Sequence, residues 1–253
     1  MRLQMIVLAV FVCGITIGVR PAAAACSNAT LTGVYGYSHG RQGGLFLGTQ
    51  VVVGQFTADG QGHLTGGSWI STVSGGSITI GLISGTYSIS SNCIGTLTFK
   101  QEDSGTSSSH FKIYLDDSHQ AFQMIQSDSN STQPGFGASL GTATCGLTGK
   151  KQILAANILG LDPSDYPEAI AGQFKLDGNG NVSGSVTIAN NGEISKVALA
   201  GTYTQHSTCI GTMQITPTGF TAMNFTTFAV NENKELLLIE TDTNSFRTGT
   251  AQQ

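Results

Sequence analysis

The chain contains one long internal repeat, and this repeat constrains the fold more than any other feature. GQFTADGQG at 54–62 recurs as GQFKLDGNG at 172–180, and the spaced pattern GTY-x5-CIGT at 85–96 recurs at 201–212. Three shorter matches keep the same order: LTG at 31–33 and 147–149, DSNS and DTNS at 128–131 and 242–245, and GTA at 141–143 and 249–251. Solenoid repeats have periods of roughly 20–50 residues, whereas these matches lie 108 to 118 residues apart. The sequence therefore predicts a tandem duplication of one complete domain.

Residues 1–25 have the pattern of an export signal. Arg2 supplies the positive start, Met5–Val19 is an apolar run, and Ala22–Ala25 offers small residues for a signal peptidase. A retained membrane anchor is one alternative, but the run is shorter than the roughly 20 apolar residues that a span needs. A lipid anchor through Cys26 is another, because Cys26 follows the small residues directly. We predict a signal peptide at 1–25, a first copy at 26–144 and a second copy at 145–253, in a secreted or periplasmic protein without a membrane span.

Each copy is predicted to be a series of short strands. The segments are rich in Val, Ile, Thr, Phe and Tyr, which pleated sheets favour, and turn signals such as Asp59-Gly60 and Asp177-Gly178 separate them. In the first copy we predict strands near 31–38, 45–57, 63–73, 78–90, 94–101, 110–116, 120–127 and 135–143. In the second copy we predict strands near 147–159, 169–177, 181–190, 194–206, 210–216, 221–230, 235–241 and 245–252. Residues 165–171 hint at a helical turn.

The number and spacing of these strands predict the fold class. Eight short strands in about 110 residues leave no room for crossover helices, so the sheet is expected to be an antiparallel meander. A flat meander exposes two edges and an apolar face, and closing it into a barrel removes both. We predict an all-β protein of two tandem eight-stranded antiparallel meander barrels, with β-sandwiches as the alternative.

The cysteines predict disulfide bonds. Four remain once the predicted signal is removed: Cys26, Cys93, Cys145 and Cys209. An even number in an exported chain is typical of disulfides. Of the three possible connectivities, the repeat favours Cys26–Cys93 and Cys145–Cys209, because each copy then contains its own bridge. A metal site is the less favoured alternative, since no C-x-x-C spacing occurs and only His206 is close to a cysteine in the sequence. We predict no metal and no cofactor.

The charge of the chain excludes two classes of partner. The formal net charge is −4, and lysines and arginines are few and scattered, with Lys150-Lys151 the only adjacent pair. Nucleic-acid binding needs a basic face that displaces counterions from phosphates. We therefore expect neither nucleic acid nor an anionic lipid surface as a partner. The sequence leaves the oligomeric state open.

No candidate catalytic motif is repeated in both copies. Gly137–Gly141 matches the G-x-S-x-G nucleophile pattern, but it lies in a predicted strand without the following helix that this motif requires. Asp59–Gly62 and Asp177–Gly180 resemble part of a calcium loop, yet neither has a second carboxylate within reach in sequence, so we interpret both as hairpin turns. The five histidines form no metal-binding spacing and do not match between the copies. We predict no catalytic residue.

Four aromatic residues do match between the copies, and these are the candidate ligand-binding residues: Phe56, Tyr87, Phe174 and Tyr203. An eight-stranded barrel has a lumen that side chains fill or that holds one small ligand. The alternative is that these rings belong to the core. Trp69 is the only tryptophan, and Thr187 occupies the aligned position in the second copy. We interpret Trp69 as a partly buried strand residue, with a surface binding role as the alternative.

The repeated pattern resembles a group of uncharacterised secreted bacterial proteins. It combines Gly-Thr-Tyr-x5-Cys-x-Gly-Thr with an upstream Gly-x-Phe-x-x-Asp-Gly-x-Gly hairpin, and it covers most of both copies. The strand count and the Leu-Thr-Gly openings are also similar to eight-stranded ligand-binding barrels of the lipocalin and avidin kind. The first strand departs from the lipocalin Gly-x-Trp and reads Gly33-Val34-Tyr35, and the tryptophans that avidin-type sites use for biotin are missing. This likeness implies a fold, not an activity.

We therefore expect an exported, non-catalytic protein that binds a small apolar or amphipathic ligand. The expectation rests on two eight-stranded units, on the aromatic residues that both copies retain and on the lack of a repeated catalytic constellation. One alternative is an extracellular structural or adhesive module, which an exposed apolar patch and a filled interior would favour. The other is a barrel-type isomerase or cyclase, which a buried carboxylate, His or Tyr facing an open lumen would favour.

Overall fold

A computed structural model describes residues 25–40, 50–73, 77–102, 108–129, 133–141, 145–147, 149–243 and 245–253. The predicted signal peptide up to residue 24 lies outside the described residues, and so does the predicted boundary between the copies at residue 144. No helix in the described part of the chain is long and apolar enough to cross a membrane.

The described residues form sixteen strands and two short 3-10 turns, at Asn28–Thr30 and Asn231–Asn233. The first half contains β1 (Thr32–Gly40), β2 (Gln50–Asp59), β3 (His63–Val73), β4 (Ser77–Ile89), β5 (Ile94–Gln101), β6 (Ser108–Leu115), β7 (Ala121–Gln126) and β8 (Pro134–Ser139). The second half contains β9 (Gln152–Leu161), β10 (Pro167–Leu176), β11 (Asn181–Asn190), β12 (Glu193–Gln205), β13 (Ile210–Pro217), β14 (Met223–Val230), β15 (Glu235–Glu240) and β16 (Phe246–Gln252). Each predicted strand has a counterpart.

Each set of eight strands closes into its own antiparallel barrel. Neighbours in sequence pair throughout, and β1 also pairs with β8, which places Tyr35 opposite Ser139. In the second half β16 pairs with β9, which places Ala251 opposite Ala156. The predicted all-β fold of two eight-stranded meander barrels is confirmed, and the sandwich alternative is wrong. Closure leaves neither barrel with an unpaired edge strand.

The helical turn predicted at 165–171 is wrong, because Pro167 already begins strand β10. The preceding turn is held by the carboxylate of Asp162, which accepts hydrogen bonds from the backbone N–H groups of Ser164 at 2.8 Å and Tyr166 at 2.9 Å. A carboxylate that takes up nearby N–H groups competes with helix formation.

The two interiors differ in their side chains. Six inward-facing rings of the first barrel are in contact, with centroids 4.7–6.4 Å apart: Tyr35, Tyr37, Phe56, Phe99, Phe111 and Phe122. Strand register places Leu154 and Ala156 of the second barrel where the first has Tyr35 and Tyr37. Aromatic pairs at these distances attract one another beyond the burial of their area. The first barrel is therefore packed by rings and the second mainly by aliphatic side chains.

Strand register also corrects one detail of the sequence alignment. Gly54 lies opposite Trp69 in the first barrel, and its counterpart Gly172 lies opposite Val186 in the second. The register of β2 with β3 shifts at an irregularity in the first copy, whereas β10 and β11 pair without interruption. The counterpart of Trp69 is therefore Val186 and not Thr187, since the irregularity changes the count by one residue.

The predicted cysteine pairs lie at disulfide distance. Cys26 and Cys93 have their Cα atoms 5.0 Å apart, and Cys145 and Cys209 have theirs 4.8 Å apart. Both pairs sit at the same end of their barrels, where β4 and β12 end and β5 and β13 begin. These separations fit disulfide geometry and are consistent with an oxidising compartment.

The two barrels pack against each other through outward-facing apolar side chains. Val51 and Val53 of β2 belong to the same buried cluster as Leu237 and Ile239 of β15. Gly36 permits the close approach, because a Cβ atom there would collide with the side chain of Val230. Each barrel thus has its own interior, but part of its outer wall is buried by the other barrel.

Candidate functional site

The four predicted ligand-binding aromatics lie two in each barrel. Phe56 and Phe174 are fully buried in mid-barrel. The hydroxyl of Tyr87 donates to the carbonyl of Leu31 at 2.7 Å, and that of Tyr203 donates to the carbonyl of Leu147 at 3.5 Å. Each tyrosine thus binds the segment that precedes the first strand of its copy, at the end of the barrel where the disulfide lies. Their contact with a ligand stays a prediction.

The opposite ends of the barrels carry the polar side chains that face inward. Four glutamines line this end of the first barrel, which we call the amide end, and three of them have charged counterparts in the second barrel: Gln50, Gln126 and Gln133. In the second barrel strand register places charged residues at the same three positions, and we call it the ionic end: Glu168, Glu240 and Arg247. The repeat signatures gave no hint of this correspondence, because they lie mainly near the disulfide ends.

The amide end contains a small cavity of about 60 Å³ between rings and amides. Tyr37, His39, Trp69, Phe99 and Gln133 are among the residues that line it. Trp69 is 6% exposed, and its Nε1–H group is buried without a hydrogen-bond acceptor among the described residues. A buried donor without a partner costs about 1–3 kcal/mol.

His39 is a neutral group in this cavity. Its ring stacks on Tyr37 with centroids 5.9 Å apart, and its Nδ1–H donates to Oε1 of Gln133 at 2.8 Å. Burial lowers the pKa of His39 to about 4, because the charged imidazolium loses its hydration there. The side chain of His39 is therefore uncharged at neutral pH, and the charged group next to this end is the carboxylate of Asp128, which accepts a hydrogen bond from Nε2 of Gln126 at 2.8 Å.

The ionic end contains a buried set of two carboxylates and one guanidinium. Nε and Nη2 of Arg247 donate to the two oxygens of Glu168 at 3.1 and 3.2 Å, and Nη1 donates to Oε1 of Glu240 at 2.5 Å. The side chain of Arg247 is 5% exposed, that of Glu168 is 2% exposed and that of Glu240 is 1% exposed. Asn190 adds a hydrogen bond to Glu168 at 3.1 Å and another to Asp162 at 2.9 Å.

Glu240 is the least well satisfied member of this set. Its Oε2 atom is buried and accepts no hydrogen bond from the residues that the structure describes. Burial raises the pKa of Glu240 to about 7, and the neighbouring Arg247 only partly opposes this effect. The ionic end therefore holds a carboxyl group that exchanges its proton near neutral pH.

Two aspartates per barrel fix hairpins in the same way in both copies. The carboxylate of Asp128 accepts from the backbone N–H and ring Nδ1 of His110 at 2.9 and 2.6 Å. Asp242 accepts from the backbone N–H and side-chain amide of Asn224 at 2.7 and 2.7 Å. His110 thus has a counterpart in Asn224, which comparison of histidines alone missed. The shared contact indicates a structural role, because Asn cannot act as a general base.

The hairpins that resemble calcium loops in sequence show the same arrangement, in which an aspartate accepts hydrogen bonds from the backbone and side chain of a His or Asn. Asp59 accepts from the backbone N–H groups of Gln61 and His63 at 2.7 and 3.0 Å, and from Nδ1 of His63 at 2.8 Å. Asp177 makes the matching contacts with the backbone and side chain of Asn181 at 2.9 and 2.6 Å. The N–H groups of His63 lower the pKa of Asp59 to about 2. Both carboxylates therefore serve as hydrogen-bond acceptors within their turns.

One histidine lies against a disulfide. Nε2 of His119 is 3.3 Å from Sγ of Cys26 and 3.8 Å from Sγ of Cys93. The sequence pointed to His206 instead, since His119 and Cys26 are 93 residues apart. Among the described residues this is the group with spacing suited to a metal, but both sulfurs lie within the bridge.

The G-x-S-x-G segment has no nucleophile elbow. Ser139 is the last residue of β8, and its hydroxyl accepts the backbone N–H of Gly141 at 3.0 Å. No helix follows among the described residues, so the geometry that activates such a serine is not formed there.

A scan against protein-family models and a search of curated proteins find no match to this chain.

Proposed function

We propose that the chain is an exported, non-catalytic protein whose amide end binds the head of a small uncharged amphipathic ligand. The observation that carries this proposal is the buried Nε1–H group of Trp69, a residue that lines the cavity; this group has no acceptor among the described residues. Ligand sites combine mostly apolar walls with a few placed polar groups, and the rings and amides of this end have that composition.

The chemistry of the cavity restricts the ligand. A volume of about 60 Å³ suits a single small polar group, so the rest of the ligand would remain outside the barrel end. An acceptor oxygen, from a carbonyl or hydroxyl group, would satisfy the Trp69 N–H. A charged head is disfavoured, because the low pKa of His39 shows how poorly this environment stabilises a charge.

Trp69 makes the binding test direct, since it is the only tryptophan of the chain. We expect saturable changes in its fluorescence with short-chain alcohols or amides and none with the matching carboxylates or amines. Calorimetry on Trp69→Phe should show roughly tenfold weaker binding, because this variant keeps the ring and loses the donor. Val186→Ala, at the matching position of the second barrel, is the control and should bind normally. Unchanged affinity in Trp69→Phe would overturn the assignment.

Export is part of the same proposal. The pattern of residues 1–25 and the two cysteine pairs at disulfide distance support it. Expression with and without residues 1–25, followed by fractionation, tests it. We expect the full chain to appear outside the cytoplasm in a shortened form. Cytoplasmic retention of the full-length chain would contradict the proposal.

A second candidate function is adhesion through the outer wall of the first barrel. Ile80 and Leu82 face outward on β4 and are 70% and 54% exposed. Apolar side chains that recur on one exposed face favour contact with another surface. Ile80→Ser with Leu82→Ser should lower retention on a hydrophobic surface and leave binding at the amide end unchanged. Equal retention of this variant and the parent would exclude the adhesive role of β4.

A further inference from the structure

The disulfide of the first barrel has a neighbour that the second barrel replaces. His119 lies in the turn between β6 and β7, with its Nε2 atom nearest to Sγ of Cys26. Its φ is 58°, and its backbone N–H donates to the carbonyl of Asp116 at 3.0 Å. Such a left-handed φ is uncommon for a residue with a side chain. The turn thus fixes the direction in which the ring leaves the backbone.

The second barrel identifies the residue that stands in place of His119. The backbone N–H of Leu115, the last residue of β6, donates to the carbonyl of Cys93. The backbone N–H of Ala229, near the end of β14, donates to the carbonyl of Cys209 in the same way, so these two positions are equivalent. Four residues later the chain has His119 in one copy and Asn233, with a φ of 66°, in the other. An amide has neither the charge nor the titratable proton of an imidazole. The chain therefore contains two bridges at equivalent places in the fold, one beside a histidine and one without it, although the partly exposed cysteine is Cys93 in the first bridge and Cys145 in the second.

The two sulfurs of the first bridge differ in access. Cys26 is buried at 5% exposure, whereas Cys93 is partly exposed. An external thiolate can therefore approach Cys93, and the sulfur released by that attack is the one closest to His119. Thiol–disulfide exchange is faster when the leaving thiol has a lower pKa, and a neighbouring histidine lowers the pKa of a thiol.

We propose that Cys26–Cys93 is a thiol-exchange site for a small external thiol and that His119 makes it more reactive than Cys145–Cys209. The external thiolate attacks Sγ of Cys93 and forms a mixed disulfide with it. The Cys26–Cys93 bond breaks, and its electron pair leaves on Sγ of Cys26, which Nε2–H of His119 stabilises. A second external thiolate attacks the outer sulfur of the mixed disulfide and releases Cys93. The external thiol is oxidised to its disulfide, and the protein bridge is reduced to two thiols.

The test uses the full chain in its folded state with increasing glutathione, followed by alkylation and peptide mass measurement. We expect a glutathione adduct on Cys93, and reduction of Cys26–Cys93 several-fold faster than that of Cys145–Cys209 at the same glutathione concentration, because exchange is faster when the leaving thiol has a lower pKa. His119→Asn should remove this difference. Asn suits the position, because the second copy holds Asn233 there with the same sign of φ.

Two results would overturn the proposal. Equal reactivity of the two bridges in the parent protein is one, and it needs no variant. The other is a faster reaction of His119→Asn, which would mean that the ring only shields the bridge from solvent. Circular dichroism of the variant before reduction distinguishes a change in exchange from a loss of the fold. Failure of ligand binding at the amide end would leave this test unaffected, since that end lies opposite the disulfide.

Discussion

The amide end and the ionic end occupy the same place in two copies of one barrel, yet the polar side chains that face inward there differ in their chemistry. The amide end uses glutamine and ring side chains, and the Nε1–H donor of Trp69 has no acceptor there among the residues that the structure describes. The ionic end places a guanidinium between two carboxylates and joins them by three hydrogen bonds. The same backbone register thus accepts three amides or three charges. The amide end has room for a ligand group, whereas the ionic end satisfies most of its own polar atoms.

The strongest test of this comparison is to remove the cation from the ionic end. Arg247→Gln introduces the residue that the first copy has at this position, Gln133. Two buried carboxylates then lose their cation, so we expect a loss of about 3–5 kcal/mol in the free energy of unfolding at pH 8. Urea unfolding followed by circular dichroism measures it.

The matched control converts the whole ionic end into an amide end. Glu168→Gln, Glu240→Gln and Arg247→Gln together leave no buried charge behind. We expect this triple variant to lie within about 1.5 kcal/mol of the parent, because replacement of a complete buried ion set is often close to neutral. A triple variant as unstable as Arg247→Gln alone would show that the two ends are not interchangeable.

The next largest effect is the dependence of stability on pH, which should have opposite signs at the two ends. Glu240 has a pKa of about 7 in the folded chain and an ordinary value of 4.5, so the folded state binds more protons between these values and stability falls as pH rises. His39 has a pKa of about 4 and an ordinary value of 6.5, so the folded state binds fewer protons and stability rises with pH. Each contribution amounts to about 3 kcal/mol, and the two oppose one another between pH 4.5 and 6.5.

Two single variants separate these contributions. Glu240→Gln should leave a stability that rises from pH 4.5 to 6.5, and His39→Phe should leave one that falls over the same range. Urea unfolding at closely spaced pH values measures the slope of the unfolding free energy against pH for each variant. A loss of stability that is the same at every pH does not change this slope. Parallel curves for the parent and Glu240→Gln would contradict a proton-binding carboxyl at the ionic end.

Much of the architecture was predictable because the turn residues act locally in sequence and because the repeat assigns one cysteine pair to each copy, although the paired cysteines are 67 and 64 residues apart. The ends of the barrels were not, because their residues meet only after eight strands have closed. Glu168 and Arg247 are 79 residues apart, and no local pattern joins them. One signal was present but unused: β15 reads ELLLIE without alternation. A continuous apolar run predicts a strand buried on both faces, and β15 indeed packs inward through Leu238 and outward against the other barrel.

The smallest expected effect concerns the hairpin contacts that both copies share. His110→Asn should reproduce the contact of Asn224 with Asp242, since the amide Nδ2 replaces the ring Nδ1 as the donor to Asp128. We expect a change of less than about 0.5 kcal/mol in the free energy of unfolding, as for other exposed substitutions that keep their contacts. His110→Ala removes the donor and should cost about 1 kcal/mol, the net value of one hydrogen bond. Equal losses in the two variants would mean that the ring itself stabilises the hairpin, and the equivalence of His and Asn in the two copies would then be limited to the backbone.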